Sequence, residues 1–78
     1  MELTIPFSVE GAPQQCVIEL RDLSSRPIHP IFVGVCQPGV HTVKFDLRTL
    51  PQPLDAGVYL LYVAIGTQQE THPVQYMP

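Results

Sequence analysis

Leu54-Asp55-Ala56-Gly57-Val58-Tyr59-Leu60-Leu61-Tyr62-Val63-Ala64-Ile65 is the stretch that decides the fold. Asp55 can bond its own backbone in a turn, and Gly57 reaches positive φ without steric cost. The residues that follow are almost all β-branched, aromatic or aliphatic, a composition that suits a pleated, buried surface. A turn, a hinge and a strand therefore succeed one another without interruption, which reads as the corner of a β-sandwich. Val58 to Ile65 is apolar at both parities, the pattern of a central strand covered on both sides. Nothing in the stretch performs a reaction: Asp55 is placed to cap backbone donors of the turn, not to act as an acid or base.

Upstream, Leu3 to Val9 alternates with period two and puts Leu3, Ile5, Phe7 and Val9 on one face. Pro6 has no amide hydrogen, so this strand belongs at an edge or a bulge. Glu10 to Gln14 is a turn. Gln15 to Leu23 reads as a second strand with Cys16, Ile18 and Leu20 toward the core and Glu19 and Arg21 toward water. Ser24 to Pro27 is turn material, and His29-Pro30 keeps the return extended but irregular. Ile31 to Cys36 is a short apolar strand closed by Pro38-Gly39. Val40 to Leu47 alternates again, with Val43, Phe45 and Leu47 on one face and Lys44, Asp46 and Arg48 on the other. Thr49 to Ala56 is a loop holding two prolines.

Downstream, Gly66-Thr67 makes a tight turn and Gln68 to Tyr76 returns as the closing strand, with Pro73 marking another edge. No segment keeps helical periodicity, and prolines interrupt almost every window. The expectation is all-β: one domain over residues 1–78, a single Ig-like or fibronectin-like antiparallel β-sandwich of six to seven short strands.

A chain of 78 residues buries only about 60 to 65% of its unfolded surface, so the core is small. Charged residues make up 14%, against a usual value of roughly 25%, and much of the polarity comes from glutamine at positions such as Gln68, Gln69 and Gln75. A surface so sparsely charged is poorly protected against association and predicts contact with another protein, or self-association. The net charge of -3, with Arg21, Arg26, Lys44 and Arg48 as the fixed cations, excludes a phosphate-binding footprint and argues against nucleic acid as a partner. No apolar run approaches the roughly 20 residues of a membrane span, so a soluble chain is expected. No basic region and apolar core of a signal peptide follows Met1. That predicts a cytoplasmic protein if Met1 is the native start, and a periplasmic or extracellular one if the chain is a piece of a longer exported protein.

Cys16 and Cys36 are too few for a disulfide scaffold and lack the spacing of a zinc site, so buried free thiols are expected. The alternative is a cross-strand disulfide, which requires the hairpin register to set the two directly opposite each other. His29, His41 and His72 fall on separate segments, the seven carboxylates are scattered, and no nucleophile elbow, phosphate loop or zinc-protease motif occurs. No catalytic residue, metal or cofactor is therefore predicted. Tyr59, Tyr62 and Tyr76 could form a stacking platform for a sugar or peptide, but aromatic residues on strands serve more often as cross-strand packing, and the chain has no Trp. A carbohydrate-binding module ranks last.

The placement of Tyr59, two residues after Gly57 at the opening of a strand, resembles the tyrosine corner of immunoglobulin-like sandwiches. That resemblance implies a hydroxyl bonded back to upstream backbone, with Asp55, Gly57 and Tyr59 as a structural corner. Read end to end, Thr4 to Val9, Val17 to Asp22, Gly39 to Asp46 and Leu54 to Leu61 resemble the C-terminal sorting domain of type IX secretion cargo and the related Ig-like domain of flagellar hook-capping proteins. The first implies a non-catalytic targeting role in an exported protein. The chain departs from it in two places: Asp22-Leu23-Ser24-Ser25 lacks the glycine of the usual Asp-x-x-Gly, and Glu70 to Met77 lacks lysines.

The expected function is a non-catalytic protein-interaction or structural module, a small accessory subunit or adaptor of a larger assembly. A sorting domain of type IX cargo is the alternative. The expected partner surface comprises Gln68, Gln69 and Gln75 with the edge strands marked by Pro6 and Pro73, which can accept or resist strand addition.

Overall fold

The computed structural model describes residues 2–77. Its strands are β1 (Glu2–Val9), β2 (Gln14–Arg21), β3 (Pro27–Cys36), β4 (Gly39–Asp46), β5 (Gly57–Ile65) and β6 (Gln68–Tyr76), with one 3-10 turn at Leu47–Thr49. β1 and β4 form a two-stranded sheet, and a four-stranded sheet runs in the order β3-β2-β5-β6. Every pairing is antiparallel. Ile5 of β1 packs on Ile18 of β2 and on Leu61 and Val63 of β5, joining the two sheets as a small β-sandwich. A second cluster unites Leu20, Leu47 and Tyr76. Ile18 and Leu20 are fully enclosed, and truncating either to alanine is expected to cost about 2–5 kcal/mol.

The closing hairpin follows the residue pattern closely. Gly66 takes φ 59° at the first position of the two-residue turn between β5 and β6, as a primed turn that matches strand twist requires. The neighbouring fit is tight, because a side chain at Gly66 would collide with the Gln14 carboxamide.

The β2–β3 hairpin departs from the pattern. β2 ends at Arg21, and Asp22 organises the turn: its Oδ1 accepts the Ser24 N–H at 2.8 Å and the Arg26 N–H at 3.0 Å. Ser25 takes φ 65°, a left-handed conformation, at the position where the sorting-domain pattern has glycine. β3 then begins at Pro27, earlier than expected, and its pairing slips twice, leaving Ile28 and Ile31 without a partner on β2. Pro27 and Pro30 lack ladder donors, so local breaks in the ladder fall beside them.

The turn between Arg21 and Pro27, offset by these slips, sets the cysteine geometry. Cys36 pairs with Gln14 and Cys16 with Gly34, so the two thiols lie diagonally, two residues out of register, and not directly opposite as a cross-strand bridge requires. Both are free and buried against Val9. Burial, and then the Cys36 thiol beside it, push the Cys16 thiol above its ordinary pKa.

β4 ends at Asp46, one residue short of expectation. The Asp46 carboxylate accepts the Arg48 N–H at 2.9 Å and draws Leu47–Thr49 into the 3-10 turn. Leu47 leaves the strand yet remains 1% exposed, because the turn folds it onto Leu20 and Tyr76.

Candidate functional site

Tyr59 Oη donates to the Asp55 carbonyl oxygen at 2.6 Å, and Gly57 between them takes φ 155°. Nothing lies within reach of a side chain at Gly57, so backbone conformation, not space, is what selects glycine there. Tyr59 packs with Leu54 on the cluster of Leu20, Leu47 and Tyr76.

β5 is central, between β2 and β6, and its two parities meet different surroundings. Leu61 and Val63 are buried in the sandwich. Val58, Leu60, Tyr62 and Ala64 point to the opposite face, which no element among the described residues covers. The cover expected on both sides is thus supplied by the chain on one side only.

That outer face can be read row by row from the register. Val33 pairs with Val17, Val17 with Ala64, and Ala64 with Gln69. Below them Glu19 stands beside Tyr62 and Thr71, then Arg21 beside Leu60 and Pro73, and last Val58 beside Gln75. Val33 and Val35 are 61% and 62% exposed. The charges in the middle of the face satisfy each other. Arg21 Nη2 reaches Glu19 Oε1 at 2.6 Å, and the guanidinium carbon lies 3.6 Å from the centroid of the Tyr62 ring. The surface is therefore broad, apolar and neutral.

The five residues expected to form one partner surface divide between two places. Gln69, Pro73 and Gln75 share the outer face of β6. Gln68 and Pro6 instead line a groove of about 570 Å³ between β1 and the inner face of β5 and β6. Val33 and Val35 were not among those five. Their signal was the apolar character of Ile31 to Val35 at both parities, which by itself does not say which face lies open.

The tyrosines share no platform, contrary to the requirement of a sugar site. Tyr76 is buried, Tyr59 faces the core at the corner, and Tyr62 lies on the outer face beneath Arg21. The histidines are likewise apart: His29 is tilted against Phe45, His41 is stacked on Phe7, and His72 Nε2 lies 3.0 Å from Glu70 Oε2. Among the described residues no three His, Cys, Asp or Glu side chains converge as a metal site. No helix among them is long and apolar enough to cross a membrane.

No protein-family model, curated protein or solved structure matches the chain.

Proposed function

We propose that this chain is a non-catalytic protein-interaction module that docks through the outer face of its four-stranded sheet, as an accessory subunit or adaptor of a larger assembly. One observation carries the reading: β5 is apolar at both parities while its outer parity has no cover from the described chain. Leaving Val33, Val35 and Val58 in water forgoes burial free energy of about 25 cal/mol per Å², which a partner surface would recover. The internal pairing of Glu19 with Arg21 lowers the desolvation cost of covering that face.

The test is a double substitution, Val33→Glu with Val35→Glu, on a β-strand face where neither side chain supports the core. Native-source purification with cross-linking and mass spectrometry should recover a defined partner with the wild-type chain and lose it with the variant, while circular dichroism stays unchanged. A monodisperse monomer with no co-purifying protein would sink the proposal, as would a variant that keeps its partner.

The sorting-domain reading rests on the four sequence stretches that resemble type IX cargo, among which Leu54 to Leu61 forms the corner and the first half of β5. Genomic context tests it. An enzyme or adhesin domain encoded in frame upstream supports it, and a reading frame of this domain alone excludes it.

A further inference from the structure

We propose that the groove along the open edge of β1 binds an extended peptide strand with alternating apolar side chains and a basic residue at the end that reaches Ser8 and Gln68. The groove exists because the two-stranded sheet covers the four-stranded one unevenly. β4 reaches over β3, where Phe45 meets His29 with ring centroids 5.7 Å apart. β1 reaches over β2 and β5, where Ile5 meets Ile18, Leu61 and Val63. Nothing among the described residues lies over the first inner positions of β6, so Gln68, Glu70 and His72 point inward yet are exposed, whereas Val74 and Tyr76 further on are covered.

The shape fits a strand. One wall is β1 from Leu3 to Ser8, whose only strand partner among the described residues is β4. The floor is Leu61, Val63 and Val74. Proline sits in a sheet where its missing N–H would point away from the neighbouring strand, so Pro6 directs the backbone groups of its own parity, including Thr4 and Ser8, to the open edge. An added strand lies about 4.8 Å from β1, and its inward side chains recur every second residue over the floor. Apolar side chains at that period fill the space between the sheets that the chain leaves empty.

Charge selects one end. Glu70 lines the groove, and beyond Ser8 the groove continues into a smaller hollow of about 310 Å³ lined by Glu10. Among the described residues neither is lined by any Lys or Arg, and His72 beside Glu70 is the only side chain there with basic character. A Lys or Arg near the end of the bound strand that reaches Ser8 and Gln68 therefore meets carboxylates and no competing fixed cation.

The probe is an acetylated nonapeptide in which Val and Thr alternate, with Lys at both ends, beside a twin with Glu at both ends. Amide shifts of the isotope-labelled chain are followed during titration. The expected result is saturable shifts at Thr4, Ser8, Val63 and Glu70, with the Lys peptide binding more tightly than the Glu twin. Replacing exposed Glu70 with Gln should weaken the Lys peptide by about two- to fivefold, the range of an exposed ion pair. No shifts at millimolar peptide, shifts confined to the outer face or to β4, or equal binding of both peptides would overturn the proposal. Concentration-dependent shifts at β1 without peptide would also overturn it, since they would make a second copy the occupant. None of these outcomes bears on the Val33 and Val35 test.

Discussion

The Tyr59 hydroxyl donates to the Asp55 carbonyl oxygen at 2.6 Å, spanning the four residues that turn the chain into β5. The bond converts a proline-bearing loop into a fixed entry for the central strand, and it lies at a partly open site. Tyr59→Phe removes the donor while keeping the ring on its cluster, so the expected loss is about 0.5–1 kcal/mol. Urea denaturation measures it. An unchanged midpoint at constant slope would mean that the hydroxyl does not hold the corner.

Ser25 at φ 65° stores strain that glycine would release. A left-handed conformation costs a residue with a Cβ about 1–2 kcal/mol, while glycine loses about 0.5–1 kcal/mol more backbone entropy on folding. Ser25→Gly is therefore expected to raise stability by about 0.5 kcal/mol. A lowered midpoint would show that the Ser25 side chain contributes more than its backbone forfeits.

The strands bounded by turn residues were legible in advance, and those whose register depends on proline were not. β6 occupies Gln68–Tyr76 as its alternation and the Gly66-Thr67 turn predict. In β3, Pro27 and Pro30 interrupt the ladder, and two slips result that no side-chain period encodes. The same slips bring Cys36 two residues nearer to Cys16 than the turn alone would, and still leave it two residues out of register. For the partner surface, Gln69, Pro73 and Gln75 were visible as neutral residues on an edge, whereas Ile31 to Cys36 read only as a short apolar strand, with no face assigned to Val33 and Val35. Apolar residues at both parities demand cover, and periodicity does not say whether the same chain provides it.

Asp46 and Arg48 predict an acid response. The Arg48 side chain and its backbone N–H both donate to the Asp46 carboxylate and hold its pKa well below the usual carboxylate range. A carboxyl with a lowered folded pKa contributes stability that is fully present above its unfolded value of 3.8 and is lost as pH falls through the lower folded value. Asp46→Asn should therefore be less stable than wild type at about pH 6, and the gap should narrow below about pH 3. A gap that stays constant over that range would assign the effect to turn geometry and not to charge.

Cys16 and Cys36 predict a thiol pattern. Both are buried out of reach of reagents, and the Cys16 thiol is in addition pushed up. Native protein should react negligibly with an aromatic disulfide reagent, and denatured, unreduced protein should release two thiols per chain. Fewer than two would show that the diagonal pair closes a bridge despite its register.

Pro6 predicts a change in association. The four sheet edges are β1, β4, β3 and β6, and three of them carry prolines: Pro6, Pro27 with Pro30, and Pro73. An edge that carries a proline has fewer backbone donors to offer, which weakens it toward an added strand without closing it. β4 has none and instead carries Lys44 on its exposed parity, a charge that also discourages pairing. Of the three guarded edges, β1 borders the groove, so a restored N–H there would complete a docking edge for a second copy. Pro6→Val keeps strand propensity and restores that donor. Sedimentation velocity at rising concentration should show the variant associating where the wild type does not. Identical profiles would mean that Pro6 is tolerated on β1 without guarding it.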